Sequence, residues 1–99
     1  MLTFDNALYK TGVSVDAYDV RPDDVMLAIA PMYHIAGMLM AVDMGVLAGA
    51  TSVLMYRFDP VAVMQAIERH RVGWWYAMAP MLVACIQVPG TRGYDLSSL

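Results

Sequence analysis

Three apolar runs, each separated from the next by a helical pattern, constrain this chain more than any other feature. Val25-Met26-Leu27-Ala28-Ile29-Ala30 is unbroken and stops at Pro31. A run of that length with such an ending suits a strand buried on both faces. Thr51-Ser52-Val53-Leu54-Met55-Tyr56 and Val72-Gly73-Trp74-Trp75-Tyr76-Ala77-Met78 read as the second and third strands, the last ended by Ala79-Pro80. Helices fill the intervals. Thr3–Tyr18 places Phe4, Leu8, Thr11, Val15 and Tyr18 on one face, with Thr3 as N-cap and Asp5 in the first turn. Ile35–Leu47 reads as a helix apolar nearly all round, with Gly49 as its stop. Asp59-Pro60 is the strongest local signal, a capping carboxylate followed by a proline at the first helical position. Val63, Met64 and Ile67 follow at helical spacing, and Arg69, His70 and Arg71 fall in the last turn. Met81–Val88 reads as a short helix stopped by Pro89-Gly90, and Thr91–Leu99 as polar loop.

Such alternation predicts an α/β fold, a partial parallel sheet of about three strands with right-handed crossover helices. The strands read as buried on both faces and both edges, more than four helices can cover. Composition sharpens the point. In only 99 residues, 60% are hydrophobic and 15% charged. A small domain has much surface for its volume and should be more polar than average, not less. The excess apolar surface is therefore expected to meet further protein.

Several classes are disfavoured. Six basic residues are scattered and the net charge is -3, so no basic patch is available for nucleic acid. The apolar stretch Val25–Tyr56 is interrupted by Pro31, His34 and Asp43; eight residues separate the last two, where a span needs about 20. No transmembrane span is expected, and the opening MLTFDNALYK is not a signal peptide. Cys85 is the only cysteine, which excludes an internal disulfide and suits a reducing, cytoplasmic setting. Inside its apolar run it reads as a core residue. No GxxxxGK[ST], GxGxxG or GxSxG occurs, and His34 and His70 lack zinc-ligand spacing. A Ser14–His34–Asp43 triad is conceivable only because the residue types are present.

His34 is the one side chain with a functional position. It stands in Pro31-Met32-Tyr33-His34-Ile35-Ala36-Gly37, after the first strand and where the next helix starts. In parallel α/β sheets, ligands bind beyond the carboxyl ends of the strands. A capping or hydrogen-bonded core histidine is the competing reading.

The segment PMYHIAGM resembles the acyl-pocket region of the adenylate-forming, or AMP-binding, superfamily, which includes fatty-acyl-CoA synthetases, 4-coumarate ligases and luciferases. MLTFDNAL is similar to the stretch following that family's phosphate loop. LAGATSVLMYRFDPVAVMQAIERHRV is similar to its next strand–helix pair, WWYAMAPMLV to the strand ending in a Pro-containing segment, and YDLSSL to the lead-in to a Gly-Ala substrate loop. The resemblance covers the whole chain in order. It implies that residues 1–99 are an internal fragment of the AMP-binding large N-terminal domain of an acid–thiol ligase. Such an enzyme activates a carboxylic acid, here expected to be a fatty acid, as acyl-adenylate and transfers it to coenzyme A. The implied partners are the acid and the remainder of the ligase chain, and the implied cofactors are ATP, magnesium and coenzyme A. The implied substrate-binding residues are Tyr33, His34, Gly37, Met38 and Pro80, with no catalytic and no metal-binding residue. Gly37 would permit close approach of a ligand or backbone, or serve helix packing.

The departures are equally specific. The phosphate loop, the aromatic-Gly-x-Thr-Glu motif, the ribose-binding Asp and the C-terminal domain with its lysine are not among these residues. Lys10, the only lysine, lies mid-helix. Trp74-Trp75 is bulkier than the family's strand suggests. The chain alone is expected to be inactive. The alternative is a non-enzymatic α/β module that self-associates through its apolar surface.

Overall fold

The computed structural model describes residues 1–99. Its elements are α1 (Phe4–Ala17), β1 (Val25–Ala28), α2 (Ile35–Gly37), a π-helical segment (Met38–Asp43), α3 (Met44–Ala48), β2 (Thr51–Leu54), α4 (Pro60–His70), β3 (Trp74–Trp75), α5 (Ala79–Gln87) and a 3₁₀ turn (Thr91–Gly93). The three strands form one parallel sheet in the order β2-β1-β3. Val25–Ala28 pairs with Thr51–Leu54, and Met26 and Leu27 pair with Trp74 and Trp75.

Pleating sorts the β1 side chains into two cores. Leu27 and Ile29 pack with Val63, Met64, Ile67, Val72 and Cys85, so α4 and α5 cover that face. Met26 packs with Val20, Met40 and Met44, so the π segment and α3 cover the other, with Val15 of α1 at the edge. From β1 to β2 the chain steps outward one way; from β2 to β3 it crosses back over β1. A crossover of constant hand puts the intervening helices on opposite faces when the direction of travel reverses. Burial of Cys85 against α4 pushes its thiol pKa up, as for a core residue.

The caps follow from the sequence. Thr3 and Asn6 form a reciprocal capping pair: the Asn6 N–H donates to Thr3 Oγ1 at 3.3 Å and the Thr3 N–H to Asn6 Oδ1 at 3.0 Å. Asp59 accepts from the Ala62 N–H at 2.8 Å ahead of Pro60. Gly49 ends α3 in the left-handed region, φ 74°.

Four expectations are corrected. Only β1 is largely buried, over Met26–Ala28, with Val25 half-buried; β2 and β3 are edge strands, and Leu54 is 62% exposed. The packed face of α1 is turned from the predicted one, sharing Thr11 and Val15 but not Phe4 and Leu8. Phe4 and Leu8 are 77% and 48% exposed, while Thr11 and Ser14 are buried. Their hydroxyls donate to the Ala7 carbonyl at 2.9 Å and the Lys10 carbonyl at 2.8 Å. Satisfied within their own helix, these small side chains let α1 approach the π segment closely without an unpaired polar atom.

Third, the helix expected over Ile35–Leu47 is not uniformly α. Met38–Asp43 is π-helical, the wider turn carrying Leu39, Met40 and Ala41 inward together. Fourth, the tail expected as polar loop contains a 3₁₀ turn at Thr91–Gly93 and is docked as a strap. Arg71 Nη1 reaches Asp95 at 2.7 Å, the Asp95 N–H donates to Glu68 Oε1 at 2.9 Å, and Ser98 Oγ donates to the Val72 carbonyl at 2.8 Å. Arg71, left-handed at φ 53°, ends α4 and turns the chain to make these contacts. No helix is long and apolar enough to cross a membrane.

Candidate functional site

The segments that leave the carboxyl ends of the three strands enclose an open cleft of about 560 Å³. Ile29, Ala30 and Pro31 come from the end of β1, Tyr56, Arg57 and Phe58 from the end of β2, and Tyr76 and Met78 from the end of β3; Tyr33, His34, Ala36 and Met81 complete it. In the order β2-β1-β3, the connections from neighbouring strands diverge beside β1. A crevice opens there because no connecting segment crosses it.

Tyr33 and His34 of the five predicted residues line this cleft. Pro31-Met32-Tyr33 folds into a turn closed by the His34 N–H donating to the Pro31 carbonyl at 2.9 Å. His34 then caps α2: its Nδ1 accepts from the Ala36 N–H at 3.1 Å. An accepting Nδ1 leaves Nε2 as the N–H donor of the ring. The cap thus selects the tautomer and restricts the ring orientation.

Gly37, Met38 and Pro80 do not line the cleft. Gly37 is buried, and a Cβ on it would run into the backbone carbonyls of Ala30 and Pro31, so the close approach there is backbone to backbone. Met38 lies in a separate groove with Leu2, Phe4 and Lys10. Pro80, exposed in the first turn of α5, follows the cleft residue Met78. Ser14, His34 and Asp43 are not assembled. Ser14 bonds Lys10 and contacts Met40, whereas Asp43 lines a groove with Phe4 and Leu8.

Residue-level reading of the sequence missed Tyr56, Arg57, Phe58 and Tyr76. The available signal was positional: each lies at or just beyond the end of a predicted strand, as His34 does. Arg57 is the only charged side chain in the lining. The aromatic walls suit an apolar organic body, and the donors at the rim, Arg57, His34 and the tyrosine hydroxyls, suit a polar or anionic end.

An open parallel α/β sheet with a cleft across the carboxyl ends of its strands is the arrangement at which proteins of the α/β class bind small molecules. Comparison with known proteins makes this specific. A family model described as AMP-binding enzyme matches residues 1–99. The chain is 45% identical over 78 residues to 4-coumarate–CoA ligase-like 5 of Oryza sativa subsp. japonica, covering 79% of this chain and 14% of that protein. It is 34% identical over 99 residues to a feruloyl-CoA synthase of Amycolatopsis sp, covering all of this chain and 20% of that one.

Among solved structures, ATP-bound MatB from Rhodopseudomonas palustris superposes with a TM-score of 0.83 at 25% identity, over 94% of this chain and 19% of that one. The N-terminal domain of FACL13 from Mycobacterium tuberculosis does so with a TM-score of 0.82 at 28% identity, over 94% and 24%. The chain belongs to the AMP-binding enzyme family. It spans a fifth or less of the length of these curated relatives.

Proposed function

We propose that residues 1–99 are an internal segment of the large domain of an acid–CoA ligase and supply the wall that receives the organic body of a carboxylic acid. The carrying observation is the cleft itself: it lies at the divergence of the strand connections, and Tyr33 and His34 of the resembling segment line it. In the whole ligase the acid would be activated as acyl-adenylate and passed to coenzyme A, in the cytoplasm where both reactants are available. A fatty acid is the expectation from the resemblance. The four rings of Tyr33, Tyr56, Phe58 and Tyr76, with the similarity to coumarate and ferulate ligases, favour an aryl acid first.

ATP and magnesium are proposed reactants of the whole ligase, but the residues here do not fit them. The cleft brings one guanidinium and no Gly-rich turn, and nowhere do three His, Cys, Asp or Glu side chains meet. We therefore assign no step at the phosphate to this segment. Its own contribution is binding and orientation: aromatic faces hold the acid body, and the His34 cap fixes Nε2–H as a donor.

The test grafts residues 1–99 in place of the matching stretch of a complete ligase, with acid-dependent pyrophosphate release as readout. Cinnamic acid should support release better than octanoic acid. His34→Ala should lower the rate about threefold to tenfold, the loss of one hydrogen bond, with only the fall of a few degrees in melting temperature that the lost α2 cap brings. An unchanged rate with a large fall in melting temperature would make His34 purely structural. The isolated chain should release no pyrophosphate above a buffer control, because proximity of the second reactant is missing.

A second reading, a self-associating module, is favoured by one observation. Only 18 of 99 residues are buried, and Phe4, Val46 and Ile86 are each more than 70% exposed. Sedimentation of the purified chain separates the readings: a stable dimer of defined size supports the module, and open-ended association supports the segment.

A further inference from the structure

We infer that Arg57 is the carboxylate-holding, specificity-determining residue of the cleft. The inference rests on the proposal that the cleft receives an organic acid, and adds where the acid's charge sits.

Position comes first. Arg57 lies in a short connection held at both ends. On its N-terminal side the Met55 N–H donates to the Ala28 carbonyl at 2.9 Å, extending the β1–β2 ladder. On its C-terminal side Phe58 packs against the α4–α5 core and Asp59 caps α4. With neighbours anchored this way, the backbone of Arg57 is placed at the cleft rim while its side chain stays available.

Charge comes second. The cleft lining contains no aspartate or glutamate, so nothing within it neutralises the guanidinium. The nearest carboxylate in sequence, Asp59, already accepts from the Ala62 N–H. Two other arginines have carboxylate partners, Arg21 with Asp19 and Arg71 with Asp95, both at 2.7 Å. Arg57 has no ion-pair partner and no side-chain hydrogen bond. A cation at the rim of an aromatic cleft without an internal counter-ion is complementary to an anion arriving with an apolar body.

Chemistry comes third. A guanidinium presents paired N–H donors that match the two oxygens of a carboxylate, a fork that a single ammonium does not offer. Tyr33, Tyr56, Phe58 and Tyr76 then hold the body of the acid, and Nε2–H of His34 is a further donor at the same rim.

The experiment uses a complete ligase carrying residues 1–99 in place of its matching stretch, and two uncharged–charged pairs, cinnamic acid with cinnamamide and octanoic acid with octanamide. Affinities are measured by calorimetry near neutral pH, and the site is located from the His34 and Tyr76 ring resonances. The wild type should bind the acid about tenfold or more tightly than its amide. Arg57→Gln should bring the acid down to the affinity of the amide and leave the amide unchanged. Arg57→Lys should keep part of the preference, since it keeps the charge and loses the fork. Far-UV circular dichroism checks that the variants, altered at an exposed side chain, stay folded.

If Arg57→Gln retains the acid preference, or the wild type shows none, the inference fails while the acid-binding cleft stands. If neither acid nor amide perturbs the cleft resonances, the cleft reading fails and takes the inference with it.

Discussion

Replacing Gly37 by alanine should destabilise this protein, although alanine is the better helix former. Gly37 has φ -79° and ψ -50°, ordinary right-handed helical values, so its backbone does not need glycine. On conformational grounds alone Ala should gain about 1 kcal/mol. Packing opposes this. A Cβ at position 37 would sit 2.6 Å from the Pro31 carbonyl carbon, with the Ala30 and Pro31 carbonyl oxygens closer still. These are backbone atoms in the turn that the His34 N–H closes on Pro31 O at 2.9 Å, so they cannot swing aside like a flexible side chain.

Overpacking costs about 1–3 kcal/mol, and rigid neighbours put this case near the top of that range. A weakened turn hydrogen bond adds about 1 kcal/mol. The net loss is about 2–3 kcal/mol, or a fall in melting temperature of roughly 8–24 °C for a domain of this size. Gly12 is the matched control. It lies inside α1, and a Cβ there would meet nothing within 4 Å, so Gly12→Ala should stabilise by up to about 1 kcal/mol. Thermal melts followed by circular dichroism report both. A Gly37→Ala protein melting at or above the parent would refute the close-approach reasoning, because propensity would then have outweighed the carbonyl contacts.

Two further outcomes follow from the caps and the tail. Asp59→Ala removes the acceptor for the Ala62 N–H and should cost about 1 kcal/mol in a denaturant titration; no change would mean that Pro60 alone starts α4. Asp95 is held below the usual carboxylate range by the hydroxyl and backbone N–H of Ser97 and by Arg71. For a lowered pKa the stabilisation is complete above the unfolded-state value, near 3.9, and is lost as pH falls through the lower folded value. Amide protection in Tyr94–Leu99, with exchange corrected for its intrinsic pH dependence, should therefore fall only as pH drops below about 4, and in Arg71→Ala the transition should move toward the unfolded value.

How far the sequence carried the reading varies with the physics of each element. The three strands and their parallel arrangement were legible because β1 is buried on both faces, and only an uninterrupted apolar run can be. The ends of α1 and α4 were legible because Thr3, Asp59 and Pro60 act on hydrogen bonds within a few residues of themselves. The packed face of α1 was legible only in part: Thr11 and Val15 were placed on it, but Ser14 was not, because its hydroxyl is satisfied inside the helix and so becomes buriable without looking apolar. The π segment left no mark, since a stretch apolar nearly all round has no period to contradict an α-helix.

The site divides along the same line. His34 could be singled out from its place after a strand and before a helix, and the family from the order of its neighbours. Sequence alone thus determined the fold class, the local caps and the segment that carries Tyr33 and His34, all of which depend on composition and short-range spacing. Tertiary structure decided that Arg57, Tyr56 and Tyr76 share one cleft with them. That follows from strand order, which sets β2 and β3 on either side of β1 and so gathers residues about 20 and about 40 positions beyond His34 at one end of the sheet. Strand order is a global property: it depends on which faces and edges each helix can cover, and no window of residues encodes it.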